Sequence, residues 1–170
     1  MATANKNLST YNKEEIPNAK EFKFGIVVSE WNPEITQNLF QGAFDAFLEN
    51  DVIKENIVRW NVPGSFELVY GAKKMSESFP MLDAIMVVGV VIEGETKHFD
   101  FVCQGVTKGV VDLNLKGDTP IIFCVLTDHH IEQSIARSGG KHGNKGTEAA
   151  IAAIKMAQLR KDAKFYPFPD

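Results

Sequence analysis

Cysteine is scarce in this sequence: Cys103 and Cys124 are the only two in 170 residues. Each sits inside an apolar stretch, and neither belongs to a Cys-x-x-Cys pair. That argues against a disulfide framework and points to reduced, buried thiols in a cytoplasmic protein. Positive charge is in no surplus, since 18 Lys and Arg stand against 22 Asp and Glu for a net charge of -4. Little is left to hold a nucleic-acid backbone or an acidic membrane face, so neither partner is expected. Long apolar runs are missing as well. No segment holds about eighteen unbroken apolar residues, and the polar start from Met1 to Lys20 lacks a run of signal-peptide length.

Several sequence signatures are also absent. Neither Gly-x-Gly-x-x-Gly nor Gly-x-x-x-x-Gly-Lys-Ser/Thr occurs, which disfavours dinucleotide enzymes and ordinary nucleotide triphosphatases. His129 and His130 are adjacent and His142 is isolated, so no two histidines have a helical metal-ligand spacing. No metal is expected.

What is present is an alternation. Four apolar runs, Phe24 to Val28, Ile57 to Trp60, Ala84 to Ile92 and Ile121 to Leu126, read as strands, and the last two are nearly free of polar residues. Such runs suit strands covered on both faces by helices. Phe40, Ala43, Phe44, Phe47 and Leu48 recur at helical spacing and predict one buried stripe. Further helices are expected over Phe66–Ser78, about Phe99–Leu115, Ile131–Ser138 and Asn144–Lys161. Strand–helix alternation implies right-handed crossovers, a four-stranded parallel sheet and a three-layer α/β/α sandwich. The expected limits are an arm over residues 1–20, loose or docked on a neighbour, a domain over 21–162, and a proline-containing tail over 163–170.

In parallel sheets ligands bind beyond the carboxyl ends of the strands. The segments there are rich in unusual residues. Trp31 and Phe66 offer faces for a flat ring, with Asn32, Ser65 and Glu67 for its polar edge; equally, the two aromatics anchor loops and Ser65 caps a helix. Gly94-Glu95-Thr96 is read as a helix start with free backbone donors for an anion, beside Lys97. His98 follows, and histidine is the side chain that exchanges protons near neutral pH, although a lone histidine is more often structural. The run Arg137 to Gly146 combines three Lys and Arg side chains with four glycines, as a phosphate cradle or as an inter-helix hinge.

Read together, these residues resemble the lumazine synthase family from about Phe24 to Leu159. Four motifs stand in the family's order: Trp31-Asn32-Pro33-Glu34-Ile35-Thr36, then Val62-Pro63-Gly64-Ser65-Phe66-Glu67-Leu68. Next come Gly89 to Asp100, containing Glu95-Thr96-Lys97-His98, and Leu126-Thr127 through Glu132-Gln133 and Arg137 to Gly143-Asn144-Lys145-Gly146-Thr147-Glu148-Ala149-Ala150. The resemblance implies a flavodoxin-like fold and the condensation of 5-amino-6-(D-ribitylamino)uracil with 3,4-dihydroxy-2-butanone 4-phosphate to 6,7-dimethyl-8-ribityllumazine, with no cofactor. By position, Trp31, Asn32, Ser65, Phe66, Glu67, Val90, Val91, Ile92 and Phe123 would bind the uracil substrate. Glu95, Thr96, Arg137 and Lys145 would bind the butanone phosphate, and His98 would transfer protons. The resemblance also implies a homo-oligomer of pentamers, with Phe123 and Arg137 reaching into a neighbour's cleft and riboflavin synthase as a protein partner. Free pentamers, paired pentamers and a closed sixty-subunit shell stay open. Trp31, where many relatives have phenylalanine, and Cys124, where glycine is common, depart from the pattern without removing a reactive group. The rival is a catalytically silent shell-forming or flavin-binding member of the same fold, against which His98 and Arg137 speak.

Overall fold

The structure, a computed structural model, describes residues 7–164; residues 1–6 and 165–170, with most of the expected tail, lie outside it. Strand β1 (Phe24–Ser29) leads to helix α1 (Pro33–Glu49), β2 (Ile57–Val62) to α2 (Leu68–Ser78), and β3 (Ala84–Ile92) to α3 (His98–Lys116). Strand β4 (Ile121–Asp128) leads to the short α4 (Ile131–Arg137), a small hairpin of β5 (Ser138–Gly140) and β6 (Gly143–Asn144), and α5 (Lys145–Ala163). The main sheet runs β2-β1-β3-β4, every pair parallel. The expected three-layer α/β/α sandwich with a four-stranded parallel sheet is the fold observed.

Alternation along the strands divides the core. Phe24, Ile26, Val28, Met86 and Val88 face α1 and α5, with Phe24 stacked on Phe47 at 4.2 Å between ring centroids. Val27, Ile85, Val87 and Val125 face α2 and α3, against Leu68, Met75 and Val110. Because both faces are covered, β3 is buried from Ala84 through Val90, and removal of that apolar surface from water is the main stabilising term of the fold.

The stripe on α1 needs correction. Its buried positions are Ile35, Thr36, Leu39, Ala43, Ala46 and Phe47, whereas Leu48 is 39% exposed. Phe40 and Phe44 lie half-buried on the flank, stacked at 5.8 Å, with the Arg59 guanidinium 4.2 Å over Phe40. A cation from β2 and a neighbouring ring thus satisfy these aromatics at the edge. The core face turns instead toward α5, where a Cβ on Gly146 would collide with the Leu39 carbonyl. Small residues there let the two helices approach closely.

The glycine run is an ordered hairpin, not a loose hinge. Gly139 (φ 112°) and Gly143 (φ 82°) take backbone angles that favour glycine, and they shape the β5–β6 hairpin. The described part of the arm, residues 7–20, packs on its own chain. Leu8 N–H donates to His142 O at 2.7 Å, Asn144 N–H to Ser9 Oγ at 2.9 Å, and Tyr11 OH to Glu49 Oε2 at 2.9 Å.

The amino end of the sheet is closed by bonded side chains. Asn114 Nδ2 donates to Val110 O and Ile121 O while its Oδ1 accepts from Ile121 N–H, at 2.9–3.0 Å. Arg160 grips the Asp118 carboxylate through Nε at 2.8 Å and Nη2 at 2.7 Å, and donates through Nη1 to Leu82 O at 2.7 Å. Asp83 Oδ2 accepts from Lys23 N–H at 2.7 Å.

Candidate active site

At the opposite, carboxyl end of the sheet lies a cleft of about 760 Å³. Its first wall follows from local backbone chemistry. Asn32 adopts a left-handed conformation (φ 56°, ψ 61°), which asparagine tolerates better than most residues. Pro33 takes the first helical position, where its missing N–H costs nothing. The Asn32 carbonyl accepts from Ile35 N–H at 3.0 Å and Thr36 N–H at 3.1 Å. This sharp entry to α1 leaves Trp31 standing 71% exposed at the cleft.

The second wall is the β2–α2 connection, with Gly64, Ser65, Phe66 and Glu67 at the cleft. Ser65 does not cap α2 with its side chain: its buried hydroxyl donates to Val90 O at 2.9 Å, tying this loop to β3. A Cβ on Gly89 would come within 2.7 Å of that hydroxyl and 2.8 Å of Leu68 Cδ1, so the close approach depends on glycine there. Phe66 lies with its ring edge against Gly105 of α3 and stays 59% exposed. Val90, Val91 and Ile92, at the end of β3, form the floor.

His98 lines the cleft as the first residue of α3. The segment Gly94-Glu95-Thr96 is a loop, not the start of the helix, and the Thr96 hydroxyl accepts from His98 N–H at 3.3 Å. The first-turn donors therefore begin later than the sequence reading placed them. Sequence reasoning missed Phe101, Val102 and Ile131, which complete the apolar lining. Phe101 and Val102 stand three and four residues after His98, so the helical period through the histidine was the signal that would have found them.

The remaining expected residues are not in the lining of this cleft as the single chain forms it. Glu95 and Thr96 sit exposed on the β3–α3 loop. Phe123, in β4, is half-buried against the core between the sheet and α2–α3. Arg137 ends α4 with Nη1 donating to Gln133 O at 3.0 Å, and Lys145 opens α5 paired to Glu148 at 2.7 Å.

The cleft thus pairs three exposed aromatic side chains and an aliphatic floor with an asparagine, a carboxylate and an imidazole. That suits a flat, polar-edged ring and proton transfer. Neither thiol is poised as a nucleophile: burial pushes Cys124 up to about 12, and burial, then Asp100, raises Cys103. Among the described residues no group of three or more His, Cys, Asp or Glu is arranged to hold a metal ion, and no helix is long and apolar enough to cross a membrane.

Comparison with known proteins agrees with the motifs that build these walls. The model of the 6,7-dimethyl-8-ribityllumazine synthase family matches residues 21–161. The chain is 78% identical to the 6,7-dimethyl-8-ribityllumazine synthase of Christiangramia forsetii over 166 residues, covering 98% of this chain and 99% of that protein. Proteins of the same name from Flavobacterium johnsoniae and Porphyromonas gingivalis are 65% and 49% identical, over 99% and 95% of this chain and 88% and 99% of theirs. With a family match over residues 21–161 and relatives aligned over most of both chains, the chain belongs to the 6,7-dimethyl-8-ribityllumazine synthase family.

Proposed function

We propose that the protein is a lumazine synthase, a transferase-type enzyme that condenses 5-amino-6-(D-ribitylamino)uracil with 3,4-dihydroxy-2-butanone 4-phosphate. The product is 6,7-dimethyl-8-ribityllumazine, released with phosphate and water, in the penultimate step of riboflavin biosynthesis. The observation that carries the reading is the single cleft that gathers Trp31, Phe66, Glu67 and His98 at the carboxyl end of the sheet, in a chain whose relatives bear this enzyme's name.

In this reading Trp31 and Phe66 hold the faces of the uracil ring while Asn32, the Ser65 backbone and Glu67 take its edge and ribityl chain. Val90, Val91 and Ile92 support it from below. The 5-amino group attacks the ketone, an imine forms with loss of one water, phosphate leaves, and ring closure expels a second water. His98 moves the protons these steps require. Holding both substrates in register supplies much of the acceleration. Glu95 and Thr96, with Arg137 and Lys145, take the phosphate.

The exposed aromatics at the cleft, and the positions of Phe123 and Arg137 outside its lining, support a site completed by an adjacent subunit. The assembly is then a pentamer or a multiple of pentamers, located in the cytoplasm, with riboflavin synthase as its protein partner. Residues 1–20 form an arm, 21–162 the synthase domain and 163–170 a tail. The test is an assay without added cofactor on purified protein, following lumazine fluorescence while light scattering reports the assembly. Product from a pentamer or larger particle is expected. No product from a well-assembled particle would instead favour a silent shell-forming or flavin-binding member of the fold.

A further inference from the structure

Between β3 and α3 the chain is exposed from Glu93 to His98, and its internal side-chain bonding is slight, consisting of the Thr96 hydroxyl accepting from His98 N–H. A short exposed segment of this kind moves easily unless something outside it holds both ends. His129, just beyond β4, touches both. At the front, its Nδ1–H donates to the Glu93 carboxylate, beside a backbone bond from Glu93 N–H to Asp128 O at 3.0 Å. At the back, its ring lies 6.2 Å from the ring of Phe99, the residue after His98, at an interplanar angle of 34°.

His129 is itself anchored. Its N–H and that of His130 both donate to Gln133 Oε1, at 2.8 and 3.2 Å. Gln133 belongs to α4, which a buried bond from Ser134 Oγ to Asp128 Oδ2 at 2.7 Å ties to the end of β4. The order of restraint therefore runs from a buried pair, through α4, to an imidazole that brackets the exposed loop. Glu93 and His129 do not line the cleft, so their influence reaches it through the loop they hold.

We infer that His129 is a positioning residue: joined to Glu93 and resting on Phe99, it clamps the β3–α3 loop and sets the place of Glu95, Thr96 and His98 at the phosphate end of the site. The inference rests on the condensing function proposed above. Both partners are partly exposed, with side chains 66% and 46% accessible, so the clamp is a tuning device whose loss is felt as about fivefold.

The test uses the assembled full-length protein with each substrate varied in turn. Turnover by the wild type tests the condensing reading separately. In the active enzyme, His129→Ala is expected to raise KM for the butanone phosphate about fivefold, with KM for the ribitylaminouracil and the melting temperature unmoved. Glu93→Ala, which leaves the Phe99 contact in place, should raise it by no more than that, and the double variant should be no worse than His129→Ala, because the Glu93–His129 interaction is already lost there. His129→Asn, whose Nδ2 takes the place of the ring Nδ1, should recover the part of the loss that belongs to the Glu93 bond. Equal rises in both KM values, no rise, or additive losses overturn the clamp. Amide hydrogen exchange at residues 94–98 is measured alongside and needs no activity: faster exchange in His129→Ala is expected, and unchanged exchange overturns the proposal.

Discussion

The two ends of the parallel sheet are built on opposite terms. At the amino end, Asn114 makes two hydrogen bonds to Ile121 that lock α3 to β4, and the Arg160 fork binds α5 to the loops entering β3 and β4. At the carboxyl end, Trp31, Phe66 and Phe101 stand 71%, 59% and 68% exposed around a cleft. A fold gains nothing in its own stability from holding such large apolar rings in water. The contrast teaches where each kind of free energy resides: one end closes the domain, and the other keeps surface in reserve for a ligand or neighbour. Substitutions at the two ends should therefore separate stability from turnover.

The largest separation is expected at His98. His98→Ala should slow the condensation by about a hundredfold or more, as loss of a general acid–base does. Its side chain is exposed, so the melting temperature and the oligomer should stay as they are. Turnover close to wild type would remove His98 from the proton-transfer role. The mirror image is Arg160→Ala, which leaves Leu82 O without its donor and the Asp118 carboxylate with only Lys164, at 3.6 Å. It should cost about 2 kcal/mol, roughly 30-fold in the folding equilibrium, with kcat intact. Arg160→Lys should recover little, because an ammonium cannot reproduce the fork. A kcat that fell with stability would break the division between the ends.

Arg137 tests the division within the functional end. Arg137→Ala should weaken the butanone phosphate about tenfold, the worth of one charge-assisted contact, and leave the ribitylaminouracil nearly untouched. Initial-rate measurements with each substrate limiting would show it, and equal weakening of both would exclude the phosphate role.

The closed end and the sheet were more legible than the site. β3 was read at its observed limits, Ala84–Ile92, because a strand buried on both faces leaves an unbroken apolar run. The stripe on α1 was misplaced because Phe40, Phe44 and Leu48 satisfy the helical period as well as Ile35, Leu39 and Ala43 do; the packing of α5 against Leu39, with Arg59 over Phe40 on the flank, decides which side faces the core. The hairpin at 138–144 was hidden because glycine leaves both an ordered turn and a loose hinge open to a reader of sequence. At the site, Trp31, Ser65 and His98 were legible because special backbone and chemistry concentrate in motifs. Ile131 was not, since an isoleucine opening a short helix carries no mark of the cleft it faces. The Glu93–His129 pair was equally hidden, since it joins residues just beyond the ends of two separate strands.

Trp31 offers the finest cut of the comparison. Its indole is mostly solvent-exposed, while the backbone that presents it is fixed by Asn32 and Pro33 and by the two N–H groups bonded to the Asn32 carbonyl. Removing the ring therefore leaves the scaffold intact, and thermal unfolding of Trp31→Ala should match the wild type. Stacking on a flat heteroaromatic contributes about 1 kcal/mol, so KM for the ribitylaminouracil should rise about fivefold with kcat little changed. Trp31→Phe keeps a stacking face of smaller area and should fall between the two. A loss in Trp31→Phe as large as in Trp31→Ala would mean that the indole acts through its N–H or its edge, and that this exposed aromatic is a specific contact instead of a general platform.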